Sequence, residues 1–128
     1  LPGSEGADTG CHRRGSEEAL VSERFLAKKE AYLEHRCPQM AKDMDAAVVG
    51  PFVTGTSWCF VDLVLFEVVD QHILFTKGRE FLASCPKLAA CVDAVAALPK
   101  VAAYRASTRF KAEPVHNRYS HFHTGYAP

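Results

Sequence analysis

The 128-residue chain carries no excess charge of either sign, because 15 Lys and Arg are balanced by 15 Asp and Glu. Without a net field, nothing gathers a polyanion or holds an anionic lipid surface, which argues against a nucleic-acid or membrane partner. No apolar run is long enough to span a bilayer, which takes about 20 mostly apolar residues. Paired cysteines are also missing. The five lie at positions 11, 37, 59, 85 and 91, an odd number with no metal-site spacing, and several fall within apolar helical patterns where a reduced thiol behaves as a small hydrophobe. That usage fits a reducing cytosol better than secretion. Also lacking are a glycine-rich phosphate loop, a nucleophile elbow, a zinc-protease helix, a strand pattern, an internal repeat and a heptad run. The sequence opens without Met and without a basic-then-apolar leader, which reads as a fragment or a processed product.

What is present centres on Phe52 to Phe75. Between Phe60 and Val69 only Asp62 and Glu67 interrupt the apolar residues, so a helix here has no broad polar face and belongs in the middle of a domain. Two buried strands would also suit Phe, Val and Leu, but the length and the start signal favour a helix. With Cys59 at the N-cap, Asp62 falls at the third helical position, where its carboxylate can reach back to the N-cap amide. Trp58 and Leu63 then occupy the staple positions. A thiol accepts a backbone hydrogen bond poorly, so Asp62 carries more of the cap, and its loss is expected to cost about 1–2 kcal/mol.

In chain order, residues 1–15 read as a flexible linker or tail, rich in Gly and other turn formers. A helix is expected from Ser16, with Glu17 and Glu18 in its first turn and Val21, Phe25, Leu26, Tyr32 and Leu33 facing inward. Pro38 should kink or end it, after which Met40, Met44, Ala47 and Val48 resume a face until Gly50 and Pro51. After the central helix, near 60–73, residues Thr76 to Arg79 form a turn and Glu80 to Ser84 a short helical piece. Pro86 opens a helix with Leu88, Cys91, Val92, Val95 and Leu98 on one face, and Val101, Tyr104 and Phe110 suit one more short helix. Residues 16–112 are thus one all-α helical domain, and 113–128 a C-terminal tail.

These segments resemble the carboxy-terminal helical domain of a cytosolic glutathione S-transferase, most closely the mu class. The resemblance rests on FVTG, FVDLVLFEVVDQH, CPKLAACVDAVAALPKVAAYRASTRF and the following EPV. Its landmarks are Phe52 and Gly55, Asp62, Pro86 and Leu88, Leu98 with Lys100 and Val101, Tyr104, and Ser107 with Arg109 and Phe110. It departs at Cys59, where the family has Thr.

The resemblance implies a half-enzyme. In the family an amino-terminal thioredoxin-like domain binds glutathione and favours its thiolate through a Tyr, while the helical domain supplies apolar walls for the electrophile. Nothing in this sequence matches that Tyr, its cis-proline turn or the Ser that grips glutathione, so the chain alone is expected to be inactive. Glutathione is then a co-substrate of the complete enzyme, no further cofactor or metal is implied, and the partners are an apolar electrophile and a second subunit in a cytosolic homodimer that detoxifies electrophiles. The mu-class tail over the electrophile corresponds to Pro114 to Phe122, which places His116 and Asn117 as substrate-binding residues in a more polar pocket. A hydrogen-bonding Tyr of the mu class aligns with Val21. The alternative is a non-catalytic transferase-like module, as in translation assemblies or lens crystallins.

Other chemistry is weaker. His116, His121 and His123 lack a carboxylate or Cys at zinc spacing and read as tail histidines. His72 is expected to contact the helix end rather than serve as a base. Cys37 or Cys91 would need an electropositive, partly exposed setting to be nucleophilic.

Overall fold

The computed structural model describes residues 9–112. Its elements, in order, are helix α1 (Thr9–Ala31), a π-helical turn (Tyr32–Arg36), α2 (Cys37–Ala47), α3 (Phe60–Thr76), a 3-10 turn (Glu80–Leu82), α4 (Pro86–Ala96) and α5 (Pro99–Arg105). Among the described residues the domain is all-α, with only an isolated bridge between Phe52 and Gly55.

Helix α1 begins at Thr9, earlier than the Ser16 start, so the stretch expected as linker is helical from Thr9 onward. Gly10 and Gly15 cost a helix only about 1 kcal/mol each and do not end it. The inward stripe is also narrower than the sequence suggests: among the described residues Phe25 and Leu33 are half-buried, whereas Val21, Leu26 and Tyr32 are exposed.

The kink expected at Pro38 is the π turn. Pro38 has no N–H to continue the ladder, and the Cys37 amide donates five residues back to the Tyr32 carbonyl. In α2, Cys37 and Ala41 are buried and Met44 packs against the core, while Ala47 faces solvent; Val48, just past the helix end, is buried.

The core gathers where α3 and α4 meet. Leu65, Phe66 and Val69 from α3 pack with Leu88, Cys91, Val92 and Val95 from α4, and Leu82, Cys85 and Val48 close the ends. The α4 face is the one its three- and four-residue spacing demands. Its first turn is capped from a distance: Cys85 offers no side-chain cap, and Asp45 at the end of α2 accepts the Leu88 amide at 2.8 Å. Helix α5 is tied back to α3 by Arg105, which pairs with Asp70 at 3.1 Å and lies between the rings of Phe66 and Phe110.

Candidate functional site

Everything that positions the start of α3 converges on Asp62. This carboxylate is fully buried, yet three donors reach it from three segments. The Val53 amide donates to Oδ1 at 2.8 Å, the Cys59 amide donates to Oδ2 at 2.8 Å, and the Cys91 thiol donates to Oδ1 at 3.6 Å. The expected capping box at Cys59 and Asp62 is therefore present. Its thiol half is weak, since sulfur is a poor acceptor, and the carboxylate half is strong. Burial pushes the Asp62 carboxyl up, but the two amides and the thiols of Cys91 and Cys59 outweigh it and hold the group below the usual carboxylate range. Asp62 is a structural hub and not an acid poised for proton transfer. Val53 is brought to it by the tight turn Phe52–Gly55, where Gly55 sits at φ 130°, a conformation that L side chains rarely adopt.

The cysteines are equally structural. Burial, then the hydrogen bond and charge of Asp62, push the Cys91 thiol up to about 11, and burial raises that of Cys37. A thiolate nucleophile at neutral pH needs the opposite shift. Cys37, Cys85 and Cys91 are buried and Cys59 is partly exposed. Brief alkylation of the native chain followed by peptide mapping should therefore modify Cys59 well before those three. Labelling of Cys91 at the rate of Cys59 would contradict the packing around Asp62.

His72 does not reach the helix end. Its Nδ1–H donates to the Val68 carbonyl one turn back at 2.7 Å, which leaves Nε2 as the acceptor for the Tyr32 hydroxyl at 2.7 Å. Burial and the neighbouring Cys37 push the Tyr32 phenol up against the opposing charge of Arg36, so it stays a donor. Among the described residues no three His, Cys, Asp or Glu form a metal-binding group. His116 and Asn117, together with His121 and His123, lie outside the described residues.

Among the described residues, one concave feature of the surface is apolar. A groove of about 570 Å³ runs between the start of α3 and α5, lined by Trp58 and Leu63 on one side and Leu98, Val101 and Tyr104 on the other. The two staple residues thus both face this groove. Beside it, Phe60 is 73% exposed and Val64 58% exposed, one turn apart on α3. The helix read as central is buried over its middle and bare over the outer face of its first two turns. With Lys100 and Tyr104 as the polar side chains of a lining otherwise apolar, the groove is suited to bind apolar matter.

A family model for the glutathione S-transferase C-terminal domain matches residues 18–108. The chain belongs to that family. The chain is 29% identical over 116 residues to a Fasciola hepatica protein, glutathione S-transferase class-mu 26 kDa isozyme 1, covering 91% of the chain and 52% of that relative. It is 29% identical to mouse and 30% identical to rat glutathione S-transferase Mu 2, in each case over 71% of the chain and 41% of the relative. The chain thus spans about half the length of the curated relatives it matches. No solved structure gives a significant match. Among the described residues no helix of the domain is long and apolar enough to cross a membrane. Three landmarks of the resemblance, Gly55, Asp62 and Leu88, each have a physical role here: a positive-φ turn, a buried cap and a fully buried core residue.

Proposed function

We propose that this domain is the electrophile-binding half of a mu-like glutathione transferase that works in the cytosol as a homodimer. In this reading a thioredoxin-like half binds glutathione and stabilises its thiolate. The helical half holds an apolar electrophile in line with the attacking sulfur, so that a C–S bond forms as the leaving group departs. His116 and Asn117 are the pocket residues of this reading.

The observation that carries it is the bare apolar face at the start of α3. Phe60 and Val64 stand in solvent beside a groove walled by Trp58, Leu63, Val101 and Tyr104. A contiguous patch of this kind marks an interaction surface, and the glutathione-binding half is the cover proposed for it. The raised thiols of Cys37 and Cys91 support the same division of labour, because neither is suited to replace the thiolate of glutathione. A second reading, a transferase-like module without catalysis, draws on Val21, which offers no hydroxyl where the mu class has Tyr.

The test is conjugation of glutathione to a small aryl halide, measured for the purified chain and for the chain joined at its N-terminus to a mu-class thioredoxin-like half. The isolated chain is expected to give the buffer rate and no calorimetric signal with glutathione, and the joined protein to turn over. A joined protein that folds and binds glutathione but does not conjugate it would favour the non-catalytic module. Turnover by the isolated chain would place a glutathione site within these residues and end the proposal.

A further inference from the structure

Two cysteines from different helices meet at one buried carboxylate. Cys59, the N-cap of α3, and Cys91, in the second turn of α4, both hydrogen-bond Asp62 through their thiols, Cys91 at 3.6 Å from Oδ1. Cys37 and Cys85 are buried as well, but neither is among the groups that hold Asp62. With Asp62 the pair does not make a metal site. What two thiols brought to one point can still do is bond to each other.

The two differ in what can reach them. Cys59 is partly exposed, whereas Cys91 is fully buried. Burial and the Asp62 carboxylate push the Cys91 thiol up to about 11, so it does not react with a dissolved oxidant by itself. It needs an oxidised sulfur delivered beside it. In a reducing compartment a redox-sensing site has this build: one accessible cysteine meets the oxidant, and a second one close by resolves it.

We infer that Cys59 and Cys91 are a hydroperoxide-responsive pair that closes into a reversible disulfide between the start of α3 and α4. The Cys59 sulfur takes an oxygen from the hydroperoxide: an S–O bond forms, the O–O bond breaks and water or an alcohol leaves, so that the sulfur is oxidised and the peroxide reduced. The Cys91 sulfur then displaces the sulfenic hydroxyl, which departs with the Cys91 proton as water and leaves an S–S bond. A dithiol reopens it by exchange, supplying the two electrons. When Cys91 leaves the carboxylate, Asp62 still has the Val53 and Cys59 amides, each at 2.8 Å, to hold the start of α3. Trp58, the residue before Cys59, is a wall of the apolar groove, so the bond ties that wall to α4. An effect on electrophile binding would rest on the proposed function, whereas the disulfide itself does not.

The probe is hydrogen peroxide, added to the folded full chain at neutral pH, followed by blocking of free thiols and peptide mapping without reduction. The expected product is a peptide pair joined through Cys59 and Cys91, with both thiols lost together. Emission from Trp58, the single tryptophan of the chain, should shift with the bond, and dithiothreitol should return both signals to the start. Cys91→Ala should halt the sequence at a sulfenic acid on Cys59 that dimedone traps, and Cys59→Ser should leave Cys91 reduced. Sulfinic acid building up on Cys59 of the parent while Cys91 stays free would overturn the pairing. So would a bond mapped to any other two cysteines, or a parent whose thiols peroxide leaves untouched. The parent digest decides without a variant, so the test stands even if Cys91→Ala does not fold.

Discussion

Asp62→Ala is expected to lower the unfolding free energy by about 3 kcal/mol, roughly twice what loss of a helix cap alone would cost. The difference comes from what the carboxylate serves. Removing it strands the Val53 amide on the preceding loop and the Cys59 amide at the helix start, and takes the acceptor from the Cys91 thiol on α4. Each buried donor left without a partner costs about 1–3 kcal/mol. Asp62→Asn should fall between, since one oxygen still accepts while its NH₂ opposes the second amide. Urea unfolding gives the measurement, with a lower midpoint at constant slope. A loss of 1 kcal/mol or less would reduce Asp62 to an ordinary cap.

The same network sets the pH limits of stability. The folded Asp62 carboxyl lies below its ordinary 3.8, so its contribution is complete above that value and disappears as the pH falls through the folded value. The Cys91 thiol is raised from 9.0 to about 11. The unfolded thiol ionises first, so stability present below 9.0 declines as the pH rises toward about 11. In Asp62→Ala the acid limb should shrink. An acid limb identical to the parent's would mean that other carboxylates control it.

Leu88→Ala should be at least as damaging, at about 3–4 kcal/mol. Leu88 is fully buried at the centre of the α3–α4 contact, where the close-packed neighbours cannot collapse into the void. Phe60→Ala removes a larger side chain from the same bundle and should change stability by no more than about 0.5 kcal/mol, because that ring is already in water. Thermal melts of the two variants side by side check the assignment of inside and outside. Equal losses would mean that Phe60 is covered in solution, as an interface residue would be.

The two substitutions also mark where sequence reasoning succeeds and where it stops. Leu88, Cys91, Val92 and Val95 announce their burial by spacing, because one helix face recurs every three or four residues and one neighbour, α3, covers it. The Cys59–Asp62 cap is legible for a similar reason, being a contact between residues three apart. Spacing fails for α1 and for the first turns of α3. An apolar stripe shows which side would be buried, but whether anything lies against it depends on the rest of the fold. Val21, Leu26, Phe60 and Val64 are apolar by pattern and wet in fact. The other arms of the Asp62 hub and the Tyr32–His72 contact could not be read either. They join residues 9, 29 and 40 positions apart, and no local rule connects them.

The cap on α4 has a kinetic meaning. Its first-turn amide waits for Asp45, a residue 43 positions earlier, while Cys85 beside it offers nothing. A nascent α4 therefore frays from its own N-terminus until α2 has docked, and secondary structure and long-range topology arise there in one event. Closing that loop is an entropic cost met early in folding, so α2 and α4 should enter the transition state together, with α5, which Arg105 ties to Asp70 of α3, following after it.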